Sequence, residues 1–361
     1  MKESVRKLQP YVPEQPVAAL KKAFGLSRLV RLSANENPYG TSSTVATAVK
    51  NWDFSESNRY PDADAMALRL AVAKQQGVDP AQLVFSVGLD EMIVMVSRTF
   101  LGAGDQVVVS APTFSEYALH AEIADATLIS VPTLADDHID FEALAQAINP
   151  AVKMVWLCNP NNPTGTSESL AAIEAFIQQV PTETMVLIDE AYIDFAADAA
   201  ALTAMQLPSK YENVVVMRTF SKAYGLANFR IGYAVFSKAY APTMQAVRLP
   251  YNVNSVTQVA ALAAVQDQGF VQATVAKNAA ERQAWQDFFT QQGIKYDQSD
   301  ANFIFFAYPA AEKLADYLLH QGYRLRTGLR PGWLRMTFGT AADGLALRKL
   351  IAAYLLDTTQ A

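Results

Sequence analysis

Residues 213–232 have the sequence NVVVMRTFSKAYGLANFRIG, in which a β-branched run leads directly into a polar segment. The first five residues of this stretch are typical of a buried strand. Two hydroxyl side chains follow, Thr219 and Ser221, then Lys222, and Arg230 comes eight residues later. The stretch therefore predicts a strand whose carboxyl end carries an amine, hydroxyl groups and a guanidinium group.

Other short β-branched runs alternate with longer helical patterns on both sides of this stretch. The predicted strands are Leu83–Val87, Gln106–Ser110, Thr127–Val131, Val152–Leu157, Met185–Ile188, Asn213–Met217 and Ile231–Phe236. The predicted helices between them include Glu91–Phe100, Glu116–Ala124, Asp140–Ala147 and Ser167–Gln179. Nearly continuous apolar strands that alternate with helices favour an α/β fold with a mainly parallel sheet covered on both faces. Binding sites in such sheets lie at the carboxyl ends of the strands.

The pattern changes after about residue 245. A long helical stretch, Thr257–Gln292, is followed by three shorter strand candidates, Phe303–Phe306, Tyr323–Arg326 and Trp333–Phe338. We therefore predict a large domain over residues 41–245 and a smaller α+β domain over residues 246–361. Residues 1–40 are rich in proline and turn signals, and we expect them to form an arm that packs with the smaller domain.

Composition excludes several classes of protein. The chain has 361 residues, 51% of them hydrophobic, and a net charge of −6, which argues against a general nucleic-acid binder. One cysteine excludes a disulfide framework and a multi-cysteine metal site, and three separated histidines argue against a histidine-based metal centre. No stretch approaches the ~20 apolar residues of a membrane helix, and the N-terminus lacks an apolar signal region. We expect a cytoplasmic enzyme with no metal and no membrane partner.

Lys222 carries the strongest chemical signal. A lysine that forms a Schiff base must be partly desolvated, so that some neutral amine exists near neutral pH. The hydroxyl groups of Thr219 and Ser221, together with the Arg230 guanidinium, are suited to binding a phosphate. The alternative is an ordinary lysine in a surface loop.

Three further segments place polar groups directly after predicted strands. In Val186-Leu-Ile-Asp189-Glu-Ala-Tyr192 the acid suits the protonated nitrogen of a pyridine ring, or else caps a helix. The turn Asn159-Pro-Asn-Asn162-Pro-Thr-Gly165 presents an asparagine donor, or is an ordinary loop. In Gly88-Leu89-Asp90 the glycine and the first helix amides suit an anion, although such a start also occurs with no ligand.

Taken together, the order and spacing of these segments resemble those of the fold-type-I pyridoxal-phosphate aminotransferases, and within them the histidinol-phosphate aminotransferases. The resemblance extends over nearly the whole chain. Besides the segments above, it rests on Leu32-Ser-Ala-Asn-Glu-Asn-Pro38, Asn58-Arg-Tyr-Pro-Asp62, Ala111-Pro-Thr-Phe-Ser-Glu-Tyr117 and Trp333-Leu-Arg-Met-Thr-Phe-Gly-Thr340. It implies a seven-stranded, mainly parallel sheet in the large domain and a homodimer.

By position, the resemblance implies that Lys222 forms the Schiff base with pyridoxal 5'-phosphate and moves a proton during the reaction. Asp189 would pair with the pyridine nitrogen, while Tyr192 and Asn162 would bind the 3-oxygen. The phosphate would be held by the following residues: Leu89 and Asp90 through their amides, Thr219, Ser221 and Arg230.

The resemblance also implies roles for less central residues. Phe114 stands where the family usually has a ring-stacking tyrosine, and Tyr60 matches a residue that the partner subunit supplies to the phosphate. The substrate-side positions are Tyr11, Asn35, Arg326 and Arg335, although either arginine is also compatible with a core ion pair. Asn228 stands where the subgroup often has glycine.

The implied reaction is transfer of an amino group from glutamate to imidazole-acetol phosphate, or the reverse. Its reactants are small molecules that carry phosphate or carboxylate groups. Two alternatives remain on the same scaffold, an aromatic amino acid aminotransferase and a phosphothreonine-type decarboxylase, because fold alone does not decide the substrate. A binding protein without a cofactor would require Lys222 to be incidental.

Overall fold

The computed structural model describes residues 3–8 and 14–359. Its strands are β1 (Val30–Arg31), β2 (Leu83–Ser86), β3 (Gln106–Ala111), β4 (Thr127–Pro132), β5 (Val152–Cys158), β6 (Met185–Asp189), β7 (Val214–Thr219), β8 (Gly232–Val235), β9 (Phe303–Ala307), β10 (Tyr323–Arg324) and β11 (Trp333–Thr337). The seven strands predicted for the large domain are β2 to β8, and each begins and ends within two residues of its predicted bounds.

The α-helices are α1 (Glu3–Lys7), α2 (Val17–Ala23), α3 (Ser43–Lys50), α4 (Met66–Gln76), α5 (Gly88–Phe100), α6 (Glu116–Ile123), α7 (Phe141–Ala147), α8 (Leu170–Ile177), α9 (Ala199–Leu202), α10 (Ala241–Val247), α11 (Ser255–Gln266), α12 (Gln268–Gln292), α13 (Ala311–His320) and α14 (Ala341–Thr359). Short 3-10 helices lie at Phe54–Asn58, Pro80–Gln82, Ile193–Phe195, Leu207–Ser209 and Ala227–Phe229. In the described part of the chain, no helix is both long and apolar enough to cross a membrane.

Strands β2 to β8 form one sheet in the order β2-β8-β7-β6-β5-β3-β4. The pairs from β4 through β7 are parallel, whereas β8 is antiparallel to both β7 and β2. Parallel neighbours require crossover connections, and helices supply them here. The carboxyl ends of β5, β6 and β7 therefore meet side by side at one edge of the sheet.

The core lies on both faces of this sheet, and alternate strand residues divide between the two faces. On β6, Val186 and Ile188 belong to one hydrophobic cluster, and Met185 and Leu187 belong to the other. Strand β7 divides in the same way. Because both faces are apolar, the polar groups of the site are confined to the strand ends.

A third hydrophobic cluster surrounds the antiparallel pair β9 and β11, which helices α12, α13 and α14 cover. The single helical stretch predicted over Thr257–Gln292 is wrong in one respect, because it consists of two helices separated at Asp267. The Asp267 carboxylate accepts a hydrogen bond from the Phe270 amide (3.2 Å) and so caps the second helix.

The first forty residues hold more regular structure than the arm predicted from the sequence. Helix α1 packs against α6, beside the large sheet, and β1 pairs in parallel with β10, next to the third cluster. The first forty residues thus contact both the large-sheet side of the molecule and the third hydrophobic cluster. The chain then crosses the carboxyl edge of the large sheet around Asn35, which brings the arm to the candidate site.

Candidate functional site

The candidate site lies at the carboxyl ends of β5, β6 and β7. The turn after β5 is closed by hydrogen bonds from Gly165 N to Asn161 O and from Asn161 N to Thr166 O, both 2.8 Å. Strand β6 ends at Asp189, and the chain after β7 reaches Lys222 three residues beyond Thr219. The register of the parallel strands thus brings three polar strand ends together.

The Lys222 side chain is half-buried. Its Nζ donates a long hydrogen bond to Ala34 O (3.5 Å) and lies 5.6 Å from the centre of the Tyr192 ring. In the part of the chain that the structure describes, it has no carboxylate within ion-pair distance. Burial, and then the positive charge of Arg335, lower the pKa of Lys222 to about 8. Roughly a tenth of this amine is therefore neutral and nucleophilic at pH 7, far more than for an ordinary lysine.

Asp189 is buried, and both of its carboxylate oxygens accept hydrogen bonds. The Tyr117 hydroxyl donates to Oδ2 (2.7 Å), and the Ala191 amide donates to Oδ1 (3.0 Å). Burial raises the pKa of Asp189 to about 6, against the effect of these two hydrogen bonds. Both of its donors among the described residues are neutral, so the carboxylate is suited to receive a cation from a ligand.

Tyr192 is linked to the N-terminal segment and to the C-terminal sheet. Its hydroxyl accepts a hydrogen bond from Asn35 Nδ2 (3.0 Å). Asn35 has a left-handed φ of 54°. Its backbone N–H donates to Thr337 Oγ1 (2.9 Å), and the Thr337 hydroxyl donates to the side-chain Oδ1 of Asn35 (3.0 Å). Burial raises the pKa of Tyr192 to about 12, so the phenol is a neutral donor at physiological pH.

Arg335 on β11 reaches across to the turn after β5. Its guanidinium donates to Asn162 Oδ1 and to Ser33 O (2.7 Å), and it lies 5.3 Å from the centre of the Phe303 ring. Its Nε atom is buried and has no hydrogen-bond partner among the described residues. Among the described residues Arg335 does not form the ion pair weighed from the sequence, because its hydrogen-bond partners there are neutral. A buried cation with an unused donor is suited to an anionic ligand.

A cup of backbone amides and hydroxyl groups lies at the start of α5. Gly88 has a φ of 73°, and a Cβ built there would lie 2.3 Å from Arg230 Nη2. The same guanidinium contacts Asp90 Oδ2 (3.1 Å), and the Thr219 hydroxyl lies 3.0 Å from Ser221 Oγ. The first amides of a helix have no partner within it, so this cup suits a phosphate.

A cavity of about 290 Å³ borders the cup, and both Arg230 and Asn228 line it. Asn228 is exposed and has no positive φ, so this backbone does not require the glycine often found there. Leu89 is buried, and its side chain approaches Gly232 on β8.

Phe114 and Arg326 each contact another residue of the site. Phe114 is half-buried and contacts the edge of Tyr117 with ring centres 5.6 Å apart. Arg326 bonds through its amide to Arg335 O (3.0 Å), and its side chain lies 4.0 Å from Glu14. Tyr11 lies outside the described residues.

Comparison with known proteins identifies the family. Residues 27–352 match the family described as "Aminotransferase class I and II". The chain belongs to the class I and II aminotransferases. This aminotransferase is 72% identical over 354 residues to the histidinol-phosphate aminotransferase of Lactiplantibacillus plantarum, covering 98% of this chain and 99% of that one. It is 52% identical to the enzyme of the same name from Limosilactobacillus fermentum, over 98% and 99% of the two chains.

A solved structure agrees with these relatives. The histidinol-phosphate aminotransferase of Sinorhizobium meliloti, in complex with pyridoxal-5'-phosphate, has a TM-score of 0.88 and 28% identity, with 98% of each chain covered. The fold-type-I architecture predicted from the sequence is thereby confirmed, as is the aminotransferase family. The aminotransferase is a pyridoxal-phosphate-dependent enzyme, so the predicted cofactor is confirmed as well.

The described residues of this aminotransferase fit that cofactor. One edge of the sheet holds the Asp189 carboxylate, whose donors are neutral, and the Lys222 amine, which forms no ion pair within the described part of the chain. The same edge holds the start of α5 at Gly88, where an added Cβ would collide with Arg230. Among the described residues, no group of three side chains suited to a metal ion is found.

Sequence reasoning assigned no role to Tyr117, which contacts this site. Tyr117 was quoted only as part of a motif, yet its hydroxyl bonds to Asp189 and its ring stacks on Trp156 at 4.3 Å. The available signal was its position, because Tyr117 follows the carboxyl end of β3 by six residues, and β3 lies beside β5 in the sheet.

Proposed function

We propose that this aminotransferase transfers the amino group of glutamate to imidazole-acetol phosphate to give histidinol phosphate, or catalyses the reverse reaction. The observation that carries the proposal is the 72% identity, over nearly the full length of both chains, to a histidinol-phosphate aminotransferase. We propose that it acts in histidine biosynthesis, in the cytoplasm.

We also propose that the chain divides into an arm, a large domain and a smaller domain, with boundaries at residues 40 and 245.

The proposal assigns each polar group of the site a part in holding pyridoxal phosphate. Lys222 supplies the amine that binds the cofactor, and Asp189 keeps the pyridine nitrogen protonated. Tyr192 and Asn162 would bind the 3-oxygen, and the half-buried Phe114 would contact the ring. The phosphate is held by the amides of Leu89 and Asp90 and by the side chains of Thr219, Ser221 and Arg230.

The cofactor supplies an electron sink that makes the Cα proton of the substrate acidic. Lys222 then acts as the base and acid at that carbon, for which a pKa of about 8 is well suited. The burial of Asp189 and Tyr192 excludes water from the polar groups that hold the ring.

The substrate end of the site is built from the arm and the C-terminal sheet. Arg335 and Arg326 lie on neighbouring segments joined by backbone hydrogen bonds of 3.0 Å, and they provide positive charge for a phosphate or carboxylate. Asn35 bonds to Tyr192 on one side and to Thr337 of the C-terminal sheet on the other, so it links Tyr192 to that sheet. Tyr11 remains a sequence prediction for the same region.

A homodimer is part of the proposal. Tyr60 is 82% exposed and stacks on Tyr251 with ring centres 4.6 Å apart. It belongs to a set of exposed apolar side chains: Phe54, Tyr60, Met66, Leu70, Leu249 and Tyr251. The exposed, stacked rings of Tyr60 and Tyr251 favour an interface between identical copies, across which each Tyr60 would reach the phosphate of the other subunit.

A panel of amino acceptors tests the substrate. The purified enzyme is given glutamate and, in turn, imidazole-acetol phosphate, the oxo acids of phenylalanine and tyrosine, and 2-oxoglutarate as the exchange control. We expect the highest kcat/KM with imidazole-acetol phosphate. A higher value for an aromatic oxo acid, or release of carbon dioxide from phosphothreonine in a parallel assay, would overturn the assignment.

A further inference from the structure

Tyr117 makes the shortest recorded contact to the carboxylate of Asp189. It is the second residue of α6, it is 1% exposed, and its hydroxyl donates to Asp189 Oδ2 at 2.7 Å. Its ring is stacked almost parallel on Trp156, at 4.3 Å and 8°, and Phe114 packs against its edge. Two aromatic neighbours therefore restrict where the hydroxyl can point.

The surroundings of Asp189 include charged and titratable groups from several elements. Asp90 on α5 disfavours the ionised carboxylate, Lys222 favours it, and the thiol of Cys158 on β5 lies beside both Asp189 and Tyr117. Among these influences burial raises the pKa most, and the Tyr117 hydrogen bond is the largest that lowers it. The charge on Asp189 therefore depends on the Tyr117 hydroxyl more than on Lys222.

We propose that Tyr117 is a positioning residue that acts through Asp189, by holding its carboxylate ionised and in a single orientation for the pyridine nitrogen of the cofactor. The inference rests on the proposed function, because it takes Asp189 as the partner of that nitrogen.

The donor chemistry agrees with this role. An ionised carboxylate has about four acceptor positions, of which Tyr117 and the Ala191 amide occupy one on each oxygen. Acceptor capacity therefore remains for a pyridine N–H. A phenol is neutral, and burial keeps the pKa of Tyr117 well above its ordinary value, so it fixes the carboxylate without neutralising its charge.

Tyr117→Phe tests the proposal, with Tyr211→Phe as the matched control. The Tyr211 hydroxyl also donates to a carboxylate, Glu174 (3.0 Å), but Tyr211 lies before β7, at the opposite end of the sheet. The readout is the dissociation constant of pyridoxal phosphate, obtained by titrating the cofactor-free full chain between pH 5 and 8.

For Tyr117→Phe we expect the affinity for the cofactor to fall about tenfold to about a hundredfold, the effect of one hydrogen bond to a charged group. Loss of that hydrogen bond raises the pKa of Asp189 above about 6. Cofactor binding needs the ionised carboxylate, so the pH midpoint below which affinity is lost should be higher than in the wild type. Tyr211→Phe should leave both the affinity and the pH midpoint unchanged.

A double-mutant cycle separates a role through Asp189 from a general effect on packing. In an Asp189→Asn background, Tyr117→Phe should change the cofactor affinity by less than about twofold, because the group on which it acts is gone. An equal loss in both backgrounds would overturn the inference, as would a wild-type affinity and midpoint for Tyr117→Phe alone. If Asp189→Asn itself binds the cofactor normally, the proposed site is wrong rather than only the role of Tyr117.

Discussion

Gly88→Ala should weaken cofactor binding through the position of Arg230. Gly88 has a φ of 73°, and an added Cβ would lie 2.3 Å from Arg230 Nη2 and 2.9 Å from its Cζ. Ordinary contacts between heavy atoms are ~4 Å, so the guanidinium must move by more than about 1 Å. That displacement takes it away from the cup formed by the start of α5.

The magnitude has two parts. A residue with a Cβ in the left-handed region costs roughly 1–2 kcal/mol of folding free energy, with or without cofactor. Misplacing Arg230 removes a hydrogen bond to a charged phosphate, which is worth about 1.5–3 kcal/mol. Only the second part enters the binding equilibrium, so the dissociation constant of pyridoxal phosphate should rise about tenfold to about a hundredfold.

Gly104→Ala provides the matched control. Gly104 has a φ of 93°, but a Cβ there meets no atom within 4 Å. The two variants should therefore lose similar stability in urea denaturation, whereas only Gly88→Ala should lose affinity in an equilibrium titration with pyridoxal phosphate. If both variants bind the cofactor with the wild-type dissociation constant, Arg230 does not hold the phosphate as argued.

Three other predictions concern charge and assembly. Arg335→Gln removes a positive charge near Lys222 and should raise the pKa of that amine above about 8. The cofactor-free enzyme should then need a higher pH to bind pyridoxal phosphate, which absorbance measures. An unchanged pH midpoint would contradict the electrostatic argument. Glu190→Gln removes the carboxylate 2.9 Å from the half-buried Arg218, which keeps Asp194 at 3.8 Å. The free energy of unfolding in urea should fall by about 1.5–3 kcal/mol, the worth of one hydrogen bond to a charged group, and a loss below ~1 kcal/mol would show the pair to be dispensable. Inactive Lys222→Ala and Tyr60→Ala chains should regain activity when mixed, because one of the two sites in a mixed dimer then holds both native residues. If activity does not return after confirmed subunit exchange, Tyr60 is not shared between subunits.

The sequence by itself determined the strands of the large sheet and the polar groups that follow them. Each strand is apolar on both faces, as Val186 and Leu187 illustrate, and such runs are visible without any tertiary information. Because a parallel sheet gathers its carboxyl ends at one edge, the position of Lys222 and Asp189 directly after strands was enough to predict that they lie close together. The family motifs then assigned these residues their chemistry.

Only the tertiary structure decided which distant groups complete the site. Arg335 bonds to Asn162 across 173 positions of the chain, and Tyr117 bonds to Asp189 across 72. These contacts depend on the order of strands in the sheet and on how β11 packs beside it, and neither leaves a local pattern in the sequence. The break between α11 and α12 has the same origin. Asp267 accepts hydrogen bonds from Ser42 and Thr44, more than 220 positions earlier, and this pairing of distant segments holds the carboxylate where it caps the second helix.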